Sequence, residues 1–199
     1  VFTIALIANL TFISILAQTI VVDGISYNVT SATEPYTVEV IASDPPYSGD
    51  IVIPESIEDN SITYSVTNSA GAFMNCYNLS SIVLPKTLVN MDVGYPFPLC
   101  PILTSIDVNE DNPVYASIDG VLYSKDLTTL IRFPSGKSSI TIPSSVTNID
   151  NSAFTRCNAL TTLFIPTNVI DINQYALGYA TSLTTINVEA DNPNYASID

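Results

Sequence analysis

The sequence predicts a repeat solenoid, mainly β with short irregular or helical turns, and three observations carry that prediction. A signature of leucine, two hydroxyl residues and then isoleucine or leucine occurs five times. The copies are Leu79-Ser80-Ser81-Ile82, Leu103-Thr104-Ser105-Ile106, Leu127-Thr128-Thr129-Leu130, Leu160-Thr161-Thr162-Leu163 and Leu183-Thr184-Thr185-Ile186. Their leading leucines are separated by 24, 24, 33 and 23 residues, a period of architectures in which each unit buries its apolar face only against its neighbours. The second observation is a full unit: Ile140, Ile142, Val146, Ile149, Ala153, Phe154, Cys157 and Leu160 return as Leu163, Ile165, Val169, Ile172, Ala176, Leu177, Ala180 and Leu183, all at an offset of 23. The third is punctuation. Short apolar-x-apolar strands stop at Pro54, Pro143 and Pro166, because proline has no N–H to continue a ladder.

Taken in order, residues 1–18 read as the remnant of a secretory signal peptide: Val1 to Leu16 is apolar without strand alternation, and Ala17-Gln18 leads into a polar segment. An uncleaved anchor is the alternative, but the run is short of the roughly 20 apolar residues of a spanning helix. Residues 19–49 lack the signature. Asp23-Gly24 is a turn signal, and Tyr36-Thr37-Val38-Glu39-Val40-Ile41 alternates like a strand. This stretch predicts an N-terminal β cap, since an open solenoid end exposes strand edges and apolar surface.

Residues 50–199 carry the repeats. Each unit should run as a short strand ending at proline, a second strand-like piece at Val-x-x-Ile, and an Ala-Phe or Ala-Leu turn back to the next leucine. Two departures stand out: a longer insertion before Ala72-Phe73, and the proline-rich Tyr95-Pro96-Phe97-Pro98-Leu99-Cys100 in place of the ordinary turn. A second echo lies over the first, Asp111–Asp119 returning as Asp191–Asp199 at eight of nine positions. After the first copy, Asp119-Gly120 stands between strand-like runs and predicts a hairpin insert near 111–126. The second copy stops where that glycine is due, which reads as truncation at the C-terminus.

Charge and residue types exclude much. Nineteen acidic residues against five Lys and Arg give a formal net charge of −14, with no basic residue before Lys86; nucleic acid and anionic membrane surfaces are disfavoured as partners. There is no histidine, so histidine-activated nucleophiles, imidazole bases and histidine metal ligation are absent. Cys76, Cys100 and Cys157 lack close ligand spacing for zinc. Each stands three residues before a repeat leucine, where the last unit has Ala180. That favours small buried core thiols, with a disulfide between adjacent coils as the alternative. Asp107-Val108-Asn109-Glu110-Asp111 begins like a calcium loop. It has Asn112 and Ile118 where such a loop requires Gly and a bidentate Glu. Scattered carboxylates could in principle serve glycoside hydrolysis, but they read as solvated turns. No catalytic, metal or cofactor site is predicted.

The pattern Leu-x-x-Ile-x-Ile-Pro-x-x-Val-x-x-Ile-x-x-x-Ala-Phe-x-x-Cys-x-x-Leu, legible across 140–163, resembles the BspA-like (Treponema pallidum-type) leucine-rich repeat. Asp191–Asp199 and the opening Val22–Asn28 are also similar to segments of that family. The resemblance implies a leucine-rich-repeat arc on a secreted or cell-surface protein, mostly bacterial, binding protein or cell-surface ligands such as host extracellular matrix. It implies no enzyme, no cofactor, and no direct membrane insertion once a signal is removed. A non-catalytic targeting or spacing arm of a larger secreted enzyme is the alternative, and a purely structural surface-layer element a third. Tyr95, Phe97 and Tyr123 are the candidate ligand-binding residues, because tyrosine offers rigid contact area with a polar tip; Tyr115 and Tyr195, at equivalent repeat sites, should pack between coils. Contact should run through Ser, Thr and Asn side chains on exposed strand positions, without a preformed pocket.

Overall fold

The computed structural model describes residues 19–69, 71–91 and 95–197; the segment read as a signal remnant lies outside them. The strands in chain order are β1 Thr19–Val22, β2 Ile25–Ser31, β3 Thr37–Val40, β4 Ser48–Val52, β5 Ser56–Asp59, β6 Ile62–Asn68, β7 Asn78–Leu84 and β8 Ser105–Val108. They continue with β9 Tyr115–Ile118, β10 Val121–Ser124, β11 Thr129–Arg132, β12 Asn148–Ile149, β13 Thr162–Ile165, β14 Asp171–Ile172 and β15 Thr185–Val188. Among the described residues there is no helix, so the turns are irregular.

The first sheet has the order β1-β2-β3-β6-β5. Its last two strands come from the insertion before Ala72, which forms an antiparallel hairpin and lays β6 parallel to β3. The remaining strands build the stack. Strands β4, β7 and β8 form one parallel ladder, with Ile51, Ile82 and Ile106 in register. Strands β13 and β15 form another, with Leu163 opposite Ile186. Along the second side, Leu130, Ile149 and Ile172 align through β11, β12 and β14.

That alignment corrects the sequence reading twice. Leu127-Thr128-Thr129-Leu130 matches the signature but sits on the second side, beside Ile149, not in the ladder of the other four copies. The true counterpart is Lys137-Ser138-Ser139-Ile140, 34 residues after Leu103 and 23 before Leu160. A lysine there hides the motif. Moreover, the expected strand at Ile140–Ile142 does not form: Ile142 is buried, yet the segment joins no sheet. Local pattern gives an extended, half-buried conformation; a ladder also needs a neighbour at bonding distance.

The neighbour has been displaced by a hairpin. Strands β9 and β10 pair antiparallel around Asp119-Gly120, both with positive φ, as the tight turn requires. The Gly120 carbonyl sits at the edge of β8 and accepts from the Ile106 N–H at 2.8 Å, while Ser117 Oγ accepts from the Val108 N–H at 2.9 Å. A Cβ on Gly120 would lie 2.3 Å from Ser105 Oγ and 3.0 Å from its Cα, so glycine is also required sterically. Strand β10 is buried on both faces. Leu122 packs with the core of the earlier coils, Val121 and Tyr123 with that of the later ones, the alternation expected of period 2.

Asparagines tie each coil to the preceding one. The buried Asn112 donates to the carbonyls of Pro85 and Leu88, both at 2.9 Å, and its Oδ1 accepts from the N–H groups of Val114 and Tyr115. Asn192 does the same with Pro166 and Val169 at 2.8 and 2.9 Å, and with Asn194 and Tyr195. Asn168 reaches Pro143 and Val146. Asn112 is therefore a structural tie: four bonds satisfy the main chain where proline ends a strand.

The three thiols are unpaired and buried. Cys100 donates to Phe73 O at 3.1 Å and Cys157 to Phe133 O at 3.4 Å, each reaching the turn of the coil before. The closeness of the two thiols lowers Cys76 and raises Cys100, and burial pushes Cys157 up to about 11. All three lie in the core, at 0–1% exposure.

Candidate ligand-binding surface

Two of the three candidates from the sequence are core residues. Phe97 is buried and its ring lies 5.5 Å from that of Phe73, which in turn meets Tyr47. Tyr123 is buried in the second cluster, and that burial pushes its phenol up to about 12. Neither presents its ring to a partner. The irregular turn and the hairpin are both folded into the stack. Tyr95 is half-buried, with Arg132 stacked 5.1 Å from its ring.

Arg132 explains the irregularity. From Leu130 to Lys137 the turn is seven residues, against eleven from Ile149 to Leu160 and from Ile172 to Leu183, so four residues are missing. The long side chain of Arg132, 1% exposed, fills the space. It donates to the carbonyls of Ser152 and Thr155 at 2.7 and 3.1 Å and to Ser135 Oγ at 2.9 Å. Burial lowers its pKa, and among the described residues no carboxylate forms an ion pair with it; carbonyl dipoles and the Tyr95 ring carry the compensation.

Outside the same short turn a groove of about 170 Å³ opens, with Cys100 and Ser135 in its lining and Tyr77, Arg156 and Asn158 around them. Tyr77 is 55% exposed, and Arg156 stacks 4.8 Å from the ring of Tyr179, itself 71% exposed. Backbone geometry holds these groups outward. Asn75, Leu99, Arg156 and Tyr179, each immediately before the Cys or Ala position of its turn, all take φ between 55° and 61°. Arg156 N–H bonds to Gly178 O at 2.9 Å and Asn75 N–H to Pro98 O at 3.0 Å, so these two left-handed residues are fixed by the next turn. Left-handed backbone at a side-chain-bearing residue costs roughly 1–2 kcal/mol, and such positions collect at functional surfaces.

A second, polar cleft of about 500 Å³ lies beside the hairpin, lined by Ser105, Asp107, Asp119, Lys137, Ser139 and Thr141 among others. These concavities lie on a surface for which the sequence predicts polar contacts without a preformed pocket. Among the described residues no group of three or more Cys, Asp or Glu side chains is arranged to hold a metal ion.

The pattern of the BspA type leucine rich repeat region matches residues 51–135 and 69–197, in six copies. The chain belongs to that family. A leucine-rich repeat protein from Bacteroides ovatus ATCC 8483 superimposes with a TM-score of 0.53 at 23% identity, over 84% of this chain and 40% of its own. One from Eubacterium ventriosum ATCC 27560 gives 0.49 at 24%, over 71% and 42%, and the Treponema pallidum leucine rich repeat protein gives 0.47 at 18%, over 81% and 67%. The chain spans about two fifths of the length of the first two. Among curated proteins none matches it by sequence. The likeness to the Bacteroides ovatus protein establishes a leucine-rich-repeat arc, mainly β; leucine-rich repeats are generally protein-binding and typically non-catalytic.

The residues that sequence reasoning missed had a legible signal. Arg156 and Tyr179 lie at an offset of 23, and Tyr77 follows Cys76 in the same turn. Large side chains next to an invariantly small buried position must point outward once the turn closes.

Proposed function

We propose that this chain is a secreted or cell-surface module that binds a protein or cell-surface ligand, with host extracellular matrix as the first class to test, and that it does so without catalysis. The observation that supports this reading is the turn-edge groove between Tyr77 and the Arg156–Tyr179 stack. Tyrosine and arginine dominate the few residues that carry binding energy in protein interfaces, when they ring a small desolvated depression. Tyr179 and Arg156 are pre-positioned by backbone geometry and by each other, so little side-chain freedom is lost on contact.

The test is saturable binding of the chain to an array of matrix proteins at physiological salt. Tyr77→Ala and Tyr179→Ala should each weaken binding at least about 30-fold, corresponding to about 2 kcal/mol, with the unfolding midpoint preserved or raised. Binding that survives both substitutions would remove this edge from the reading. Absence of any protein ligand, with retention of a polysaccharide, would favour a targeting arm instead.

A further inference from the structure

Between β8 and β13 the ladder of coil-start strands is interrupted, and the interruption leaves main chain bare. Segment 138–142 has the phase of β13: Ile140 and Ile142 precede Leu163 and Ile165 by 23 residues and turn inward with them. Ser139 and Thr141 face out and are exposed. Among the described residues, no main-chain hydrogen bond joins 139–142 to β8 or to β13. The cause is visible one strand away, where Gly120 O and Ser117 Oγ take the outward N–H groups of β8. At the base of the gap the coils still touch, Gly136 N–H bonding to Leu103 O at 2.8 Å; beyond it they diverge around the hairpin turn.

The result is the polar cleft. One wall is Ser105 and Asp107 of β8, the floor is the Asp119–Val121 turn, and the other wall is Lys137 to Thr141. Unpaired strand-like main chain is a template for another strand, and an extended peptide supplies a donor and an acceptor at every second residue along it. Charge narrows the choice of peptide. Asp107 and Asp119 are exposed; Asp107 accepts from Ser105 Oγ at 2.8 Å, and the one ion pair among the described residues, Lys86 with Glu55, lies elsewhere. Two carboxylates against Lys137, on a chain of net charge −14, favour a cationic side chain.

We propose that this cleft receives an extended, basic segment of a partner polypeptide, which adds as a strand along 139–142 and sets a lysine or arginine against Asp107 and Asp119. The proposal rests on the protein-binding reading and gives it a second, chemically distinct contact.

The experiment uses the full chain and three blocked seven-residue probes: alternating valine and lysine, the same peptide N-methylated on alternate amides, and a version with glutamate for lysine. Fluorescence anisotropy measures affinity, and hydrogen exchange follows the amides of residues 139–142. The lysine peptide should bind saturably and slow exchange at those amides. N-methylation and glutamate should each weaken it at least about tenfold, the effect of one or two lost hydrogen bonds or of reversed charge. The double variant Asp107→Asn, Asp119→Asn should lose a similar factor while Thr141→Pro abolishes the protection. No binding of the lysine peptide, equal binding of all three probes, or binding without protection at 139–142 overturns the proposal. If a whole matrix protein still binds wild-type chain and both variants equally, strand addition is wrong and the protein-binding reading stands; if nothing proteinaceous binds wild type, that reading itself falls.

Discussion

The two copies of the longer echo, from Asp111 and from Asp191, repeat the same turn and the same bonds, yet the strands that lead into them, β8 and β15, differ in burial. In both, an asparagine forks onto two carbonyls of the coil before, and a serine hydroxyl accepts from the main chain of the strand, at 2.9 Å for Ser117 and 2.8 Å for Ser197. The isoleucines part company: Ile106 is 0% exposed and Ile186 41%. Bonds that look backward along the solenoid are complete in either copy. Burial depends on what stacks forward: the hairpin lies over the first copy, with Leu122 in the same cluster as Ile106. In a solenoid, the hydrophobic stabilisation of a coil draws on both of its interfaces.

The sharpest way to break that comparison is truncation of the two isoleucines. Ile106→Ala should destabilise by about 4 kcal/mol and Ile186→Ala by under about 1 kcal/mol, since cavity cost requires surrounding atoms. Equal effects in urea unfolding would deny the difference in packing. Asn112→Ala comes next: with two buried carbonyls and two turn amides left unsatisfied it should cost about 3 kcal/mol, and Asn192→Ala, where water can substitute, about 1 kcal/mol. Gly120→Ala should cost about 2 kcal/mol through the clash with Ser105 and the positive φ, and should accelerate exchange of the Ile106 amide while leaving that of Val188 unchanged.

The smallest effect is one of pH. Cys157 is held at about 11 against an ordinary thiol value of 9.0. A native pKa above the unfolded one means that only the unfolded chain ionises between the two. Stability from this group is therefore complete below pH 9 and is lost as pH rises toward 11, by up to about 2 kcal/mol. The urea midpoint should fall over that window, and Cys157→Ala should flatten part of the fall; an unchanged slope would show the thiol to be solvated. Tyr123, at about 12, extends the loss upward.

The sequence by itself determined the repeat, its period of about 23, the inward apolar set and the family, because each rests on spacing that survives without coordinates. The pairing of small residues before each leucine likewise identified the cysteines as sites for buried thiols, and Asp119-Gly120 identified the hairpin turn. Tertiary structure alone decided which coil each motif joined. Leu127–Leu130 reads as a fifth copy, but the inserted hairpin shifts its phase to the side of Ile149, and Lys137 conceals the real copy. The shortened turn is a deletion invisible without alignment to its neighbours in space, and it made Arg132 a core residue and opened the groove beside Tyr77. Phe97 and Tyr123 look like exposed aromatics because sequence marks one segment as an irregular turn and the other as a hairpin insert, while packing draws both inside. The physical reason is common to all of these: hydrophobic pattern fixes which way a side chain points from its own strand, but burial is a property of the gap between strands, and that gap is set by residues 20 to 40 positions away.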